Sequence, residues 1–390
     1  MSRNLLVFDT HPVQYRVPIW KTIEQLNPGA IHVVYATDCS VRGYQDKEFG
    51  KNMAWDEPLL EGYSFSILNC EKGIPLSGWQ SLTGDGVKEE IKRLSPSAIL
   101  LTGLNYKFDF VVYLEAKRRG IPIWLRSESQ DHAFTRTKIK TLLRYCFYQI
   151  AYAGIKKFFY IGELNRLHYL NHGVQSYKLA EAHYCTVDRF EPFDNTLKKQ
   201  LRMQGRKSAG IESDRFVVGF SGKFIAKKNP WMLYKMLKHL PSDLLKNLTL
   251  YFIGSGELEN ELKELGRDAS KKFGVHSFFA GFINQTKLPE HYLAMDILIL
   301  PSQKMGETWG LVANEALQAG CGVIVSNAVG CSADFKNLDR FAVFEENNEK
   351  ELAQCVLKLS QFERDFDWAT ETLQKYSIKN VATAFANELS

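Results

Sequence analysis

Residues 306–320 have the sequence Gly-Glu-Thr-Trp-Gly-Leu-Val-Ala-Asn-Glu-Ala-Leu-Gln-Ala-Gly, shortly after the apolar run Ile297–Leu300. The apolar run predicts a buried strand, and the spacing of apolar residues after Gly310 predicts a helix. We therefore expect a strand, a loop and a helix in succession, with Glu307 in the loop and Glu315 inside the helix. A series of such units is typical of α/β folds with a parallel sheet.

The start of this predicted helix is suited to binding an anion. The first N–H groups of a helix lack an intrahelical acceptor and carry partial positive charge. A pyrophosphate held there would leave Glu307 and Glu315 free to accept hydrogen bonds from hydroxyls on either side. This arrangement predicts a nucleotide-sugar site. The residues expected to contact the ligand between the two carboxylates are Thr308, Trp309, Gly310 and Leu311.

Strand and helix patterns alternate through the rest of the chain. Apolar runs predict strands at 5–8, 31–35, 98–101, 121–125, 158–161, 216–220, 248–253, 276–280 and 322–326. Each half of the chain therefore predicts a doubly wound, Rossmann-like α/β domain. Residues 190–215 are polar and basic, and we interpret them as the linker between domains at 1–195 and 210–369. The last segment, 366–389, is helical and amphipathic in pattern.

The composition predicts two domains of ordinary size working in the cytoplasm. The chain has 390 residues, of which 45% are hydrophobic, and a net charge of +5. That charge is too small to indicate nucleic-acid binding, but it suits anionic ligands or an anionic membrane surface. The seven cysteines are scattered without a CxxC pair, which favours reduced thiols. The amino-terminal apolar run is too short for a signal peptide, and no run reaches the roughly 18 residues of a membrane span.

Three loops in the second half are further candidates for the ligand site. Gly222 and Lys223 follow the strand at 216–220, with Lys228 five residues on. The glycine allows close backbone approach, and the two ammonium groups could hold a diphosphate and offset charge on a leaving group. The alternative is a solvated basic loop. Gly254 could approach a phosphate or ribose and Phe282 could contact a base, or both could belong to plain connections.

The first half offers polar side chains at two predicted strand ends. His11 follows the first strand, and Arg126, Glu128 and His132 follow the strand at 121–125. Carboxyl ends of parallel strands share one edge, so these groups are expected to face the interdomain cleft. Any of them could contact a sugar or an acceptor hydroxyl, although a single histidine is more often structural or simply exposed.

The segment 132–160 contains no acidic residue. Arg136, Lys140 and Arg144 form a basic stripe at helical spacing. An apolar face at the same spacing is formed by Ile139, Leu142, Leu143, Cys146, Ile150 and Ala153. Such a helix can lie on an anionic membrane or pack on its own sheet, and the pattern leaves both open.

Together, these motifs resemble those of the retaining glycosyltransferases of family 4, which have the GT-B fold. Glu307 and Glu315 correspond to the Glu-x7-Glu motif of that family at its usual spacing. The Gly-Arg…Lys-Gly diphosphate motif of the family, altered to Lys and Asn at its second and last positions, corresponds to Gly222, Lys223, Lys228 and Asn229. The resemblance covers most of the second half of the chain.

The resemblance implies two domains facing each other across a cleft, with the final helix, 370–390, crossing back to the first. It further implies metal-independent transfer of a sugar, with retention of configuration, from a nucleotide diphosphate that is more expected to be UDP or GDP than ADP. The first domain would bind the acceptor, which could be a glycan, a lipid-linked molecule or a small molecule.

The resemblance also implies roles for individual residues. Glu315 would hold the ribose hydroxyls, and Glu307 would contact the donor sugar. Lys223 and Lys228, with the amides at the helix start, would bind the diphosphate. His132 is preferred to His11 for orienting the acceptor or the sugar.

Two other functions fit the same residues. One is a GT-B relative that epimerises or phosphorolyses sugars, and the other is a catalytically silent partner that docks through 132–160. A dehydrogenase is disfavoured because the full GxGxxG motif is missing. We expect no metal site, since there is no HExxH motif and the Asp365-Phe366-Asp367 triplet falls in a helical pattern near the chain end.

Overall fold

The computed structural model describes residues 4–41, 44–46, 51–53, 58–69, 76 and 78–389. The first half of the chain forms a parallel sheet and a small antiparallel hairpin. Its strands are β1 (Leu5–Asp9), β2 (Ile31–Thr37), β3 (Tyr44–Asp46), β4 (Lys51–Met53), β5 (Ser64–Asn69), β6 (Ala98–Leu101), β7 (Ile123–Leu125), β8 (Lys157–Tyr160) and β9 (Leu179–Glu181). The sheet has the order β5-β2-β1-β6-β7-β8-β9, and β3 pairs with β4 in the hairpin.

The second half forms a six-stranded parallel sheet. Its strands are β10 (Phe216–Ser221), β11 (Leu248–Ile253), β12 (His276–Gly281), β13 (Ile297–Leu300), β14 (Gly322–Ser326) and β15 (Phe341–Phe344). They are arranged in the order β12-β11-β10-β13-β14-β15. The direction of winding reverses between β1 and β6 in the first sheet and between β10 and β13 in the second. Ligands of doubly wound sheets bind at the carboxyl ends of the strands beside such reversals.

Helices cover both sheets. They are α1 (Val17–Leu26), α2 (Val87–Leu94), α3 (Lys107–Arg118), α4 (Lys138–Ala153), α5 (Glu163–Asn171), α6 (Asn195–Ser208), α7 (Met232–Lys235), α8 (Ser242–Asn247), α9 (Glu259–Phe273), α10 (Leu288–Ala294), α11 (Leu311–Gln318), α12 (Ser332–Phe335), α13 (Glu349–Leu359), α14 (Thr370–Leu373) and α15 (Ile378–Leu389). Within the described part of the chain, no helix combines the length and apolar character needed to span a bilayer.

The sequence of β1 explains how one strand supports two cores. Leu6 and Phe8 pack in the core that contains α2 and α3, whereas Leu5 and Val7 pack in the core that contains α1 and α15. A strand buried on both faces must be apolar at successive positions, and such a continuous apolar run is the signal that predicts it. The predicted fold of two doubly wound α/β domains is confirmed.

The carboxyl-terminal helix α15 packs on the first sheet, as the resemblance implies. Its Phe385 ring lies 4.3 Å from that of Phe159 in β8 and 6.1 Å from that of Trp20 in α1. The predicted helical segment at 366–389 is interrupted, because α14 ends in a 3-10 turn at Gln374–Tyr376 before α15 begins. β1 and α15, the outermost described elements of the sequence, therefore lie in the same half of the molecule.

The stretch at 190–215, which we interpret as a linker, contains the 14-residue helix α6. Arg202 and Arg206 on α6 form ion pairs with Asp296 at 2.5 and 2.8 Å. Gly205 lies between them, and a Cβ atom there would come within 2.6 Å of the Glu290 carbonyl oxygen. The basic residues that make this segment resemble a linker are therefore contacts that fix α6 on the second half.

Candidate active site

The loop that joins β13 to α11 positions both glutamates at the carboxyl edge of the second sheet. Gly310 precedes α11 with a φ of 98°, and a Cβ atom there would lie 2.7 Å from the Leu300 side chain. A larger residue would be both strained and sterically excluded at this turn. Glu307 lies in the loop, and Glu315 lies in the second turn of α11, which begins at Leu311.

Glu307 is a buried carboxylate paired with a lysine. Its Oε2 atom accepts hydrogen bonds from the Lys228 ammonium group and, at 3.1 Å, from the Ser302 hydroxyl. Burial opposes ionisation, but the charges of Lys228 and Lys227 and these hydrogen bonds outweigh it, so the pKa of Glu307 lies below its usual range. Lys227 also donates to the Gly306 carbonyl oxygen at 3.0 Å. These contacts join the basic loop after β10 to the loop before α11.

Glu315 lies in a pocket with fewer polar partners. Its Oε2 atom accepts a hydrogen bond of 2.6 Å from the Tyr292 hydroxyl, which lies 3.0 Å from the Ser221 hydroxyl. Burial raises the pKa of the Glu315 carboxyl to about 7, against the opposing effects of Tyr292 and the Arg189 charge. Hydrogen-bond donors from a ligand would stabilise the ionised form. Side chains from both halves line the rest of the pocket, including those of Gln14, Tyr15, Thr186, Leu288 and Leu311.

The basic loop keeps its turn despite the change from Gly to Asn. Asn229 has a φ of 51°, in the left-handed region that asparagine tolerates better than most residues. Its side-chain nitrogen donates to the Asn347 side chain at 2.9 Å. The turn holds Lys228 against Glu307, and Lys223 lies partly buried at its beginning. The altered motif therefore places Lys228 beside Glu307.

Gly254 is required by a tight crossing of two backbone segments. Its φ is 132°, and a Cβ atom there would lie 1.9 Å from the Gly222 carbonyl oxygen. Its N–H group donates to the Gly281 carbonyl oxygen at 2.8 Å and so already has an acceptor. This geometry favours a tight turn over a cradle for a phosphate.

Phe282, the residue expected to contact a base, comes directly after Gly281 at the carboxyl end of β12 and is partly buried.

Trp309, an expected ligand contact, is instead part of the core between the two halves. Its ring is 3% exposed and lies 5.9 Å from the rings of Tyr184 and Tyr376. Its Nε1 atom donates to the Asn314 side chain at 2.8 Å. The side chain is therefore held in the junction between the two halves, and its contact with the donor stays a prediction.

Arg126 is also buried away from the cleft. Its guanidinium donates to the carbonyl oxygens of Ala182 and His183, both at 3.1 Å, and lies over the Tyr184 ring. Backbone groups after β9 use two of its donors, and its contact with an acceptor or a sugar stays a prediction. The side chain ties that segment to the end of β7.

Glu128 faces the polar cleft at the carboxyl ends of β1, β6 and β7. It accepts hydrogen bonds from the Tyr184 hydroxyl and, at 3.3 Å, from Thr308 of the second half. We use the name polar cleft for the space whose walls include Arg16, Asn105, Glu128, Arg136, Arg144 and Tyr148. Gly306 and Thr308, on either side of Glu307, also line this cleft, so both halves contribute to it.

The two candidate histidines lie in different surroundings. His11 Nδ1 lies 2.9 Å from the Thr10 hydroxyl, and burial together with the Arg16 charge lowers its pKa to about 4. His11 is therefore neutral at physiological pH. His132 Nε2 lies 2.6 Å from the Asn327 carbonyl oxygen. Its ring thus bridges the two halves beside the cleft.

Three side chains that support the glutamates are missing from the sequence prediction. Ser221 ends β10, and Ser302 follows β13, so both occupy the strand-end position that marks the other candidates. Tyr292 lies inside α10, and no local pattern distinguishes it from a residue of the apolar core. Tyr292 belongs to the site because α10 packs close enough to α11 for its hydroxyl to reach Glu315.

Among the described residues, Asp131, His168 and His172 form a group of the kind that holds metal ions. Asp131 Oδ1 lies 2.9 Å from His168 Nδ1 and 3.2 Å from His172 Nε2. Arg144 Nε lies 3.5 Å from the same oxygen, and its charge would repel a cation. These contacts fit an anchor for the loop that carries Gln130 and His132 better than a metal site.

Comparisons with known proteins agree with this architecture. The family model described as glycosyl transferases group 1 matches residues 202–374. An uncharacterized glycosyltransferase of Methanocaldococcus jannaschii, MJ1607, is 30% identical over 139 residues, covering 35% of this chain and 34% of that protein. D-inositol 3-phosphate glycosyltransferase 1 of Catenulispora acidiphila is 33% identical over 137 residues, covering 33% and 32%. The matching stretch thus spans about a third of each curated relative.

Structural similarity extends over the whole chain. The Anabaena protein HepE in complex with UDP is similar with a TM-score of 0.69 and 15% identity, and the match covers 99% of each chain. Such low identity establishes the fold and leaves the ligand open. The chain therefore has the GT-B fold of glycosyltransferases, and the model of glycosyl transferases group 1 matches most of its second half.

Proposed function

We propose that this chain is a retaining glycosyltransferase that moves a sugar from UDP or GDP to an acceptor hydroxyl without a metal ion. The observation that carries the proposal is the pair of glutamates on either side of the start of α11. Glu307 is held ionised by Lys228, and Glu315 is buried with a raised pKa. The matches to glycosyltransferases in sequence and fold support the same activity.

The donor would lie across the amino-terminal end of α11. Its diphosphate would accept hydrogen bonds from the amides near Gly310 and Leu311, with Lys223 and Lys228 supplying positive charge. The ribose hydroxyls would donate to Glu315, which supplies the carboxylate acceptor that such hydroxyls need. Glu307 would accept hydrogen bonds from the sugar on the other side of the diphosphate.

The chemical step would follow from this arrangement. The bond between the anomeric carbon and the diphosphate oxygen breaks, and Lys228 offsets the negative charge that builds on the leaving group. The acceptor oxygen then bonds to the same face of the sugar, and its proton passes to the leaving phosphate oxygen. Sugar configuration is retained, and the products are the glycosylated acceptor and the nucleoside diphosphate.

The acceptor would enter the polar cleft of the first half. Glu128 lies there with its carboxylate turned toward Thr308, close to the loop that carries Glu307. The class of acceptor stays open among glycans, lipid-linked molecules and small molecules. We place the reaction inside the cell, because the six described cysteines are free thiols suited to a reducing compartment, while Cys70 lies outside the described residues.

Thermal unfolding with UDP, GDP, ADP and their sugars tests the donor site. A ligand that binds the native state at a hundredfold excess over Kd stabilises it by about 2.7 kcal/mol. We expect a clear shift with one nucleotide, which is lost in Glu315→Ala and kept in Glu264→Ala, a control on the exposed surface of α9. Loss of the shift in both variants, or no shift with any nucleotide in the wild type, would argue against this site.

Product analysis tests the reaction. With the stabilising donor and a panel of acceptors, a transferase gives a new glycoside in which the anomeric configuration of the donor is kept. Conversion of the sugar without an acceptor would instead identify an epimerase, and dependence on inorganic phosphate would identify a phosphorylase.

A further inference from the structure

The outward face of α4 is apolar. Tyr148, Ala151 and Tyr152 bury the inner side of this helix against the first half of the molecule. The opposite side carries Ile139, Leu142, Leu143 and Ile150, which are 73%, 63%, 65% and 77% exposed. The apolar face that the sequence predicts therefore does not pack on its own sheet, and the usual orientation of an amphipathic helix is reversed.

These side chains belong to a larger exposed surface. We call Ile139, Leu142, Leu143, Phe147 and Ile150 the α4 patch. Leu114 of α3 and Trp79 are also exposed, and the Phe110 ring connects them to the patch, at 4.9 Å from Trp79 and 6.0 Å from Phe147. Contiguous apolar surface of this kind marks a site of interaction with a partner or a membrane.

The charges that the segment 132–161 itself carries are of one sign. Lys138 and Lys140 are exposed at the start of the helix, on either side of Ile139. The sequence from 132 to 161 contains no aspartate or glutamate. An apolar face bordered by lysines is complementary to an anionic bilayer, where apolar side chains enter the headgroup boundary and ammonium groups reach lipid phosphates.

A second copy of this chain is a poorer match to the same surface. A symmetric dimer through the α4 patch would bring two basic segments together. The segment 132–161 has no carboxylate to pair with Lys138 or Lys140, so the like charges would repel. A lipid bilayer supplies the anions that this segment of a second copy lacks.

The α4 patch adjoins the polar cleft. Phe134 and Arg136, just before α4, and Arg144 and Tyr148, within it, form part of the cleft wall. A molecule lying on a bilayer through α4 would therefore hold the cleft close to the lipid surface. This position would give a membrane-anchored acceptor direct access to the site.

We propose that the α4 patch docks on an anionic lipid bilayer, with its aliphatic side chains inserted at the headgroup boundary and Lys138 and Lys140 over lipid phosphates. This interaction goes beyond the proposed function, because it requires neither donor nor acceptor.

Co-sedimentation of the full chain with lipid vesicles tests the proposal. We expect binding to vesicles of phosphatidylcholine mixed with phosphatidylglycerol, and much weaker binding to phosphatidylcholine alone. The double change Leu142→Gln and Ile150→Gln should weaken binding at least about tenfold, since two inserted aliphatic side chains are lost. Lys138→Gln with Lys140→Gln should lower the preference for anionic vesicles by about fivefold for each lysine. The matched control is Met203→Gln with Leu357→Gln, which changes exposed apolar residues on α6 and α13.

Two outcomes would overturn the proposal. The wild type could fail to bind the mixed vesicles, or the α4 and control variants could bind them equally. In that case, sedimentation equilibrium would show whether the wild type is a dimer. If Leu142→Gln with Ile150→Gln abolishes the dimer, the α4 patch is a contact between two copies of the chain. Nucleotide-induced stabilisation, measured on the same variants, distinguishes the two proposals. The α4 substitutions should leave it unchanged. Its absence in the wild type would argue against the proposed donor site but not against membrane docking.

Discussion

The Tyr292 hydroxyl donates a hydrogen bond of 2.6 Å to Glu315 Oε2 and thereby links α10 to α11. Although this bond favours the carboxylate, burial prevails and raises the pKa of Glu315 to about 7. A buried carboxyl group with a raised pKa is costly to keep charged, and such groups concentrate at binding and catalytic sites. In this chain the cost is offset only when a ligand supplies further donors, which is the situation expected for ribose hydroxyls.

Glu315→Gln should therefore stabilise the free protein at high pH. The folded-state pKa of about 7 lies above the ordinary value of 4.5, so the stability contributed by the protonated carboxyl is complete below about pH 4.5 and is lost as the pH rises through about 7. The amide mimics the protonated form at every pH. We expect urea unfolding to show no difference at low pH and a gain on the order of 2 kcal/mol for the variant above about pH 8. A variant less stable than the wild type at high pH would contradict this reasoning.

Lys228→Ala should reduce both turnover and stability. It removes the ammonium group that pairs with Glu307 and leaves a buried carboxylate without its main partner. We expect the free energy of unfolding to fall by about 3 kcal/mol, and kcat/KM with a nucleotide sugar to fall by about a hundredfold. Adding Glu307→Gln to Lys228→Ala should recover stability without recovering turnover. If the double variant is less stable than Lys228→Ala alone, the unpaired charge of Glu307 is not the cause of the lost stability.

Asn229 should be replaceable by glycine but not by alanine. Its φ of 51° suits glycine and is tolerated by asparagine, whereas alanine pays about 1–2 kcal/mol there. We expect Asn229→Ala to lower the free energy of unfolding by about that amount or more, because the bond to Asn347 is lost as well. Asn229→Gly loses the same bond but keeps the backbone conformation, so the difference between the two variants in urea unfolding isolates the strain.

Arg126→Ala should act on stability and not on donor binding. The guanidinium is buried and holds two backbone carbonyl groups, which would be left without donors. We expect a loss of about 2–3 kcal/mol in urea unfolding, with nucleotide-induced stabilisation unchanged. Glu128→Gln provides the comparison from the same loop, since it faces the polar cleft and should change acceptor kinetics more than stability. A change in acceptor KM from Arg126→Ala without loss of stability would instead support its predicted role in contacting the acceptor or the sugar.

The sequence predicts the fold well where strands are buried on both faces. The runs at β6, β11, β13 and β14 are apolar at nearly every position and have the predicted bounds. It fails at the edge of the first sheet, where β5 (Ser64–Asn69) and β9 (Leu179–Glu181) carry polar residues because one side meets solvent. These two strands have no continuous apolar run, so the signal that predicts the central strands is missing there. At the edges of the second sheet, β12 is predicted, whereas β15 is missed although its four residues are apolar.

The residues of the candidate site also fall into two groups, those whose placement the sequence predicts and those whose placement it does not. Glu307, Glu315 and Lys228 follow from local spacing at strand ends, where the chain order fixes their neighbourhood. The roles of Arg126 and Trp309 depend on which side of a loop or helix faces the junction between the halves, and the sequence alone gives no measure of that. Similarly, the apolar face of α4 is visible in the sequence, but its outward direction depends on which side packs against the rest of the first half.

Gly162→Ala should disturb the packing at the junction between the two halves of the molecule. Gly162 has an extended backbone that any residue can adopt, so the restriction is steric: a Cβ atom there would lie 2.2 Å from the six-membered part of the Trp309 ring system and 2.9 Å from Asp334. We expect Gly162→Ala to lower the unfolding midpoint, because the indole ring must shift within a closely packed junction. Trp309→Phe removes the part of the side chain that Gly162→Ala would meet. The two substitutions together should therefore cost less than the sum of their separate effects in urea unfolding, and strict additivity would show that the contact does not limit the junction.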